Sequence, residues 1–339
     1  SNEKRGWNKE KRHTAHVAPH GLELLSLAAV MSRLFDSVEN SEISLLQKAL
    51  VYAGRVDTKV DSNMAKKLLE EFEYTKPSEG TSGLDTRFIQ NVFETTEHFQ
   101  VMEYLANIEK MKEDGGEQTM LSSISLSNPC VTALDLFVRL ESLIKEVYAQ
   151  SKTEKFKYIQ KILPQAKEWI YSQIANDVYS AILKDESVVE TTWKKYTDHV
   201  RAYARNTTLK DEVTQADIKS DESFMKRIES YIGVPEKDVF RKELSDAIGS
   251  VSNAAILLAD EPSYESAIKK YVFENEFKSG ENMKLLGWIK AGTSSAESNS
   301  KERECLNETI NYLMSNGGYC GKCAHQALVI TASQSQIVG

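Results

Sequence analysis

Hydrophobic residues recur every three or four positions along most of the chain, which is the spacing of an amphipathic α-helix. In the longest example, eight apolar side chains between Phe156 and Ala181 fall on one helical face. We find no segment with the strict alternation of apolar and polar residues that a half-buried β-strand would show. The pattern therefore predicts an all-α fold. The apolar stripes lie in residues 24–35, 46–53, 156–181, 189–203 and 240–251.

Glycine and proline, the residues that interrupt helices, are scarce. The chain of 339 residues contains 16 Gly and 6 Pro, which is about 6% of its positions against about 12% in an average protein. This scarcity favours long helices over many turns. Pro164 interrupts the longest stripe, so we expect a kink or a new helix start there. Aromatic residues at helical spacing, such as Trp193 and Tyr196, are interpreted as core residues rather than as a ligand-binding box.

The charge balance and the apolar runs argue against several classes of protein. The chain has 42 Lys and Arg residues against 50 Asp and Glu, a net charge of −8, with both signs interspersed. This composition argues against a dedicated nucleic-acid-binding protein. The longest apolar run, residues 254–259, is far shorter than the ~20 residues of a membrane-spanning helix. Four cysteines do not make the dense disulfide framework of a small secreted domain. We therefore expect a cytoplasmic protein that binds neither nucleic acid nor membrane.

A loop followed by a helix start is predicted at residues 83–89 (GLDTRFI). Asp85 can accept hydrogen bonds from the exposed backbone N–H groups at the start of the helix. Arg87 then falls in the first helical turn, on or near the exposed side, where a cation opposes the helix dipole at a cost of ~0.3–1 kcal/mol. Two interpretations stay open: Arg87 pairs with a nearby carboxylate, or it binds an anion.

The C-terminal cysteines are the second candidate site. Cys320 and Cys323 have the C-x-x-C spacing, His325 follows them, and Cys305 lies 15 residues before Cys320. These three thiols and the imidazole could form a tetrahedral zinc site. The C-x-x-C pair could instead be a redox pair, or the thiols could be inert and flank a helix end at residues 317–318. A single C-x-x-C without a second pair is a weak metal signature, so we predict that these residues bind no metal.

Three histidines near the start of the chain, His13, His16 and His20, also invite a metal interpretation. Pro19 separates the last two, so they are not expected to share one helix face. We interpret all three as loop histidines rather than metal ligands.

The familiar signatures of nucleotide-binding enzymes are missing from the sequence. No Gly-x-x-x-x-Gly-Lys-Ser/Thr occurs, so this chain has no Walker A phosphate cradle. Residues 266–269 (SAIK) resemble the V-A-I-K strand of eukaryotic kinases, but the surrounding apolar positions step as a helix. Residues 199–206 (HVRAYARN) echo H-R-D-x-x-x-x-N without its aspartate, and the two segments occur in the reverse order. We therefore expect no conventional kinase fold here.

A series of short segments occurs in a fixed order along the chain. The segments are residues 16–23 (HVAPHGLE), 31–34 (MSRL), 47–52 (QKALVY), 85–90 (DTRFIQ), 223–229 (SFMKRIE), 233–236 (GVPE), 240–244 (FRKEL) and 318–324 (GYCGKCA). Taken together, the series resembles the C-terminal half of the PrkA family of bacterial serine protein kinases. The resemblance covers nearly the whole chain, and the order and spacing of the segments make it specific.

This resemblance implies a longer parent protein with an AAA+-type ATPase core that is missing from this chain. Residues 1–100 would then be the end of the ATPase module, its helical lid, and residues 101–339 a larger helical domain. Within the lid, Arg87 resembles the sensor-2 arginine of AAA+ proteins, which reaches the terminal phosphate of the nucleotide. Guanidinium suits that role because it stays charged and can form two parallel hydrogen bonds to phosphate oxygens.

The resemblance leaves two functions open. The first is the lid and C-terminal portion of an ATP-dependent serine protein kinase, and the second is a non-catalytic regulatory or substrate-recruiting domain of an AAA+ ATPase or protease-like machine. In either case the parent would use ATP and Mg²⁺, while the fragment alone is expected to bind no cofactor and to be inactive. The implied partners are the ATPase core of the parent, a protein substrate and further copies of the parent joined through the ATPase module. The catalytic residues stay unassigned.

Overall fold

The protein is described by a computed structural model that covers residues 15–37, 43–54, 60, 62–74, 80, 82–114, 128–183, 186–210, 216–234, 236–250, 262–277, 289 and 300–337. Helices account for most of these residues, and the strands in the same ranges are each two residues long. The predicted all-α fold class is therefore confirmed. None of the described helices is both long enough and apolar enough to cross a membrane.

The elements are named in chain order. The first nine are β1 (His16–Val17), α1 (Gly21–Arg33), α2 (Leu45–Tyr52), α3 (Ser62–Tyr74), α4 (Thr86–Asp114), β2 (Cys130–Val131), α5 (Ala133–Val147), α6 (Lys152–Phe156) and a π-helical turn (Lys157–Ile162). They are followed by α7 (Leu163–Leu183), α8 (Glu186–Arg205), β3 (Leu209–Lys210), β4 (Asp217–Ile218), α9 (Glu222–Ile232), α10 (Lys237–Ser250), α11 (Pro262–Phe277), α12 (Ser300–Asn316) and α13 (Gly321–Ile337).

The described residues divide into two compact units. Unit 1 comprises those within Ser1–Ala53, Lys67–Ala181 and Asn282–Gly339, and unit 2 comprises those within Gly54–Lys66 and Ile182–Glu281. The division of the parent into modules at residue 100 stays a prediction. In the structure, α4 continues through that position without a break.

The core of unit 1 is built from the apolar faces of α1, α5 and the first half of α4. These faces are fully buried because helices with one apolar stripe must pack that stripe against one another. A short parallel ladder of β1 and β2, with His16 opposite Cys130 and Val17 opposite Val131, lies at the start of α1 and α5. The buried side chains include Leu24, Leu25, Ala28, Met31, Val92, Phe93, Leu136, Leu140 and Ile144.

The core of unit 2 is formed by α8, α9, α10 and α11. Trp193 and Tyr196 are buried there, with their ring centroids 5.6 Å apart, as their helical spacing predicts. The same core encloses an ion pair. The Nε and Nη2 groups of Arg241 donate to the two carboxylate oxygens of Glu229 at 2.6 and 2.8 Å, and both side chains are almost wholly buried.

Local sequence explains where several helices begin. Ser44 and Gln47 form a capping box at the start of α2, and Thr132 and Asp135 form another at the start of α5. Each box satisfies backbone N–H groups that the first helical turn leaves without a partner.

The break predicted at Pro164 takes the form of the π-helical turn that precedes α7. A proline cannot donate the helical hydrogen bond, and a wider turn accommodates this loss. The wider turn also changes the phase of the helix. Tyr158 and Ile162 are buried in that turn, whereas Phe156, which the stripe predicted to be buried, is 59% exposed. From Leu163 onward the predicted face is the buried one.

Candidate functional site

Arg87 lies in the first turn of α4, and its side chain is exposed. The helix begins as predicted, since the Asp85 carboxylate accepts a hydrogen bond from the Phe88 N–H at 2.6 Å. Ile89 and Val92 are buried on the opposite face. Among the described residues no carboxylate forms an ion pair with Arg87. The location of Arg87 is therefore as predicted, and its nucleotide-sensing role stays a prediction.

The loop before α4 is fixed against the end of α1. Gly83 has φ +141°, and a Cβ added there would lie 2.6 Å from Ser32 Oγ, so the position requires glycine. The Leu84 N–H donates to Ser32 Oγ at 2.9 Å, and the Arg33 guanidinium donates to the Leu84 carbonyl at 3.3 Å. Arg87 is thus an exposed cation on a rigid support.

Four metal-ligating side chains converge elsewhere in unit 1. The ring nitrogen Nδ1 of His16 lies 3.3 Å from Cys130 Sγ and 3.9 Å from Cys323 Sγ. Cys323 Sγ lies 3.6 Å from Cys320 Sγ. All four ligating atoms are within 4.8 Å of one another. We refer to His16, Cys130, Cys320 and Cys323 as the Cys₃His cluster.

Three separate chain segments bring these residues together. The parallel pairing of β1 with β2 places His16 directly opposite Cys130. Cys320 directly precedes α13, and Cys323 lies in the first turn of that helix. The chain reaches α13 through a left-handed turn at Gly318, whose φ is +70°, just after the end of α12. The helix end predicted at residues 317–318 is therefore present.

Hydrogen bonding fixes the orientation of the His16 ring. Its Nε2 lies 3.1 Å from the Gly318 carbonyl oxygen, which can only accept a hydrogen bond. Nε2 must therefore carry the proton, and a neutral imidazole then presents the lone pair of Nδ1 to the three sulfurs. The Cys320 N–H also donates to Cys323 Sγ at 3.1 Å.

Without a bound cation, the three thiols and the imidazole of the cluster form hydrogen bonds to one another, and these bonds shift their pKa values. Hydrogen bonds from Cys130 and Cys323 lower the pKa of Cys320, whereas hydrogen bonds to Cys320 and Cys323 and burial raise the pKa of Cys130. Hydrogen bonds to Cys320 and Cys323 raise the pKa of His16 to about 10. Cys130 and Cys323 are buried, while His16 and Cys320 are half-buried. The arrangement can hold a thiophilic metal ion or support thiol chemistry between Cys320 and Cys323.

The structure assembles a different group from the one the sequence indicated. Cys320 and Cys323 are members of the cluster, whereas Cys305 on α12 and His325 on α13 are not. His16 was interpreted as a loop histidine, and this interpretation is corrected: it lies on strand β1 beside the thiols.

Sequence reasoning missed the role of His16 because its partner Cys130 lies 114 residues away, and the spacing of nearby residues does not indicate such a pairing. His13 lies outside the described residues. The one sequence signal that links His16 to Cys320 and Cys323 is that all three lie in segments that carry the family resemblance.

His20 forms a second polar group in unit 1. It precedes α1 with φ +63° and contacts Glu23 and Asp177 at 2.8 Å each. Tyr319 OH donates to the same Asp177 carboxylate at 2.8 Å. Burial alone would lower the pKa of His20, but the hydrogen bonds to Asp177 and Glu23 outweigh it and raise the pKa to about 9. His20 therefore lies in the turn before α1, as the sequence predicts, and its two carboxylate contacts attach this turn to α1 and α7.

One protein-family model matches most of the chain. The family model described as the PrkA serine protein kinase C-terminal domain matches residues 46–329. The chain belongs to the PrkA family. The resemblance seen in the sequence is thereby confirmed, and the matched region includes Arg87 and three members of the Cys₃His cluster.

A curated relative is the ATP-dependent protease PrkA of Bacillus subtilis (strain 168), which is 25% identical over 325 residues. The alignment covers 94% of this chain and 45% of the relative, so the chain spans less than half the length of that protein. No solved structure matches the chain.

Proposed function

We propose that this chain is the C-terminal, non-catalytic helical portion of an ATP-dependent PrkA-type machine that acts on protein substrates. The ATPase core, with its bound ATP and Mg²⁺, lies outside the chain. Support comes from the family match over residues 46–329 and from the relative whose name states ATP dependence and of which the alignment covers 45%. The parent would work in the cytoplasm and oligomerise through its ATPase module.

The observation that carries the proposal is the exposed, rigidly supported Arg87. A cation in the first turn of a helix opposes the helix dipole, and it is most easily explained by an anion that it binds. Phosphate oxygens are strong partners, because charge-assisted forked hydrogen bonds are roughly twice as strong as neutral ones. A terminal phosphate held by the ATPase core would supply this partner, as the sensor-2 resemblance implies.

The residues that echo kinase motifs have structural contacts, which favours a recruiting or regulatory role over phosphotransfer by this chain. Lys269, the lysine of the V-A-I-K-like segment, lies on helix α11 and pairs with Glu265 one turn before it. His199 Nδ1 accepts a hydrogen bond from the Asp221 N–H at 3.0 Å. A second candidate, the C-terminal portion of a serine protein kinase, is kept because the matching family model carries that description.

The test compares the full-length parent, a Walker A variant of it and this chain alone. ATP turnover, phosphate transfer to a protein and cleavage of a protein are measured in each. We expect activity only in the intact parent, with Arg87→Ala lowering ATP turnover at least about tenfold and Arg87→Lys restoring part of it. Arg205→Ala, another exposed arginine, is the matched control. Phosphate transfer by this chain alone would overturn the proposal, and so would unchanged turnover in Arg87→Ala.

A further inference from the structure

We propose that the Cys₃His cluster is a structural zinc site that binds one Zn²⁺ through His16 Nδ1 and the sulfurs of Cys130, Cys320 and Cys323. The first argument is distance. With Zn–S near 2.3 Å and Zn–N near 2.0–2.1 Å, a regular tetrahedron separates two sulfurs by about 3.8 Å and a nitrogen from a sulfur by about 3.6 Å. The separations of 3.3, 3.6 and 3.9 Å in the cluster lie close to these values.

The donor set selects the metal. Thiolates prefer Zn²⁺, Cu(I) and iron–sulfur clusters over the hard cations Mg²⁺ and Ca²⁺. Three cysteines and one histidine are an established combination for structural zinc, and all four tetrahedral positions are taken by protein atoms. No position is left for water or substrate, so the ion organises the fold and does not catalyse.

The surroundings of the cluster are those of a metal ligand shell. Ligating histidines nearly always donate their other N–H to a carbonyl or carboxylate, and His16 does so toward Gly318. The Cys320 N–H donates to Cys323 Sγ, which stabilises a thiolate at that position. Both cysteines also lie at the N-terminus of α13, where the helix dipole favours negative charge.

A redox pair of Cys320 and Cys323 explains less of the structure. Such a pair needs only two thiols, whereas here a third thiol and an imidazole nitrogen reach the same point from distant segments. Zinc uses all four groups, and its two positive charges offset most of the negative charge of the three thiolates.

The ion would add bonds between segments that otherwise meet here through a short ladder and a few hydrogen bonds, such as those from His16 to Gly318 and from Lys322 to Gln100. The ladder between β1 and β2 is two residues long. Cys320 and Cys323 attach the start of α13 to that ladder. Zinc therefore links the beginning, the middle and the end of unit 1.

The test measures metal content in the whole chain, purified under reducing conditions and dialysed against metal-free buffer. We expect one zinc per chain in the wild type and in Cys305→Ser, the matched control with a cysteine outside the cluster. Cys130→Ser and Cys320→Ser should lower zinc affinity by more than about 100-fold, since even outer-shell partners contribute about 10–100-fold. His98→Gln is the control for His16→Gln.

A second measurement avoids variants that fail to fold. Metal-free wild-type chain is titrated with Co²⁺, which should give the intense visible bands of a tetrahedral site and a near-ultraviolet thiolate charge-transfer band. Cys320→His should keep the tetrahedral bands with a weaker charge-transfer band. An octahedral Co²⁺ spectrum in the wild type, a Cys320–Cys323 disulfide in place of metal, iron in place of zinc, or equal zinc loss in Cys305→Ser would each overturn the proposal.

Discussion

Unit 1 and unit 2 each bury a polar centre, and the two centres are built over very different lengths of chain. In unit 2, Glu229 and Arg241 are 12 residues apart and neutralise each other within neighbouring helices. In unit 1, the members of the Cys₃His cluster are up to 307 residues apart, and three of the four are thiols, which become anions when they lose a proton.

The difference shows two ways in which a helical protein tolerates buried polar groups. In the Glu229–Arg241 pair both the anion and the cation are side chains of the protein, and two parallel hydrogen bonds join the two charges. The Cys₃His cluster is complete only with an ion from solution. Unit 1 should therefore depend on the metal supply, and unit 2 should not.

Removing zinc is expected to have the largest effect. Structural zinc contributes about 10–16 kcal/mol of apparent binding free energy in finger peptides, so a chelator should loosen unit 1 strongly. Hydrogen exchange should accelerate in β1, β2 and the start of α13. The helices α8 to α11 of unit 2 are the internal control. If hydrogen exchange accelerates equally in both units, the expectation that only unit 1 depends on zinc is wrong.

Breaking the ion pair of unit 2 should have the second largest effect. Glu229→Gln leaves the guanidinium of Arg241 buried with only the exposed Asp238 carboxylate nearby, at 3.6 Å, which should cost about 3–5 kcal/mol. The double substitution of Glu229→Leu with Arg241→Met should cost less than the single one, because it leaves no buried charge. Denaturant unfolding of the zinc-loaded chain measures both.

The matched control for that pair is Glu222→Gln on the same helix, which removes an exposed pair with Lys226. Its effect on the free energy of unfolding should be small. If Glu222→Gln and Glu229→Gln destabilise equally, burial is not the source of the effect.

A pH effect of intermediate size is expected in unit 1. The pKa of His20 is raised from 6.5 to about 9 in the folded protein. Its contribution of about 3 kcal/mol is therefore complete below pH 6.5 and is lost as the pH rises through about 9.

The zinc-loaded chain should thus lose stability between about pH 7 and 10, as measured by denaturant unfolding. His20→Gln should remove most of that slope. A variant with the wild-type slope would show that another group titrates in this range.

The smallest effect on stability is expected for Arg87→Ala. An exposed side chain outside the core changes the free energy of unfolding by less than about 0.5 kcal/mol. Thermal unfolding of the chain should therefore be unchanged even if ATP turnover of the parent falls. A loss of several kcal/mol would indicate a structural partner for Arg87.

The parts of this molecule that sequence reasoning predicted are those set by neighbours along the chain. Helices at the stripes, the Asp85 cap and the helix end near Gly318 depend on residues within a few positions of each other, and the described residues contain all three features. The phase change at the π-helical turn was missed, because a stripe assumes one constant period.

For the same reason, the sequence indicates only two of the four members of the Cys₃His cluster, Cys320 and Cys323. Cys320 and Cys323 are close in sequence, and their spacing can be read directly. His16 and Cys130 meet only through the ladder between β1 and β2, and two residues per strand leave no alternating pattern to detect. Cys305 and His325 were chosen for proximity in sequence, which does not determine proximity in space.

The distribution of the cluster along the chain has a consequence for synthesis. Ribosomes release the N-terminal part first, so every residue of unit 2 is available before Cys320 and Cys323 emerge. His16 and Cys130 cannot complete the site until Cys320 and Cys323 have been synthesised, and a chain that stops before residue 320 holds only two of the four ligands. Chains that include residue 323 and chains that stop before residue 320 should therefore differ in their ability to retain zinc, so zinc retention reports that synthesis has passed this point.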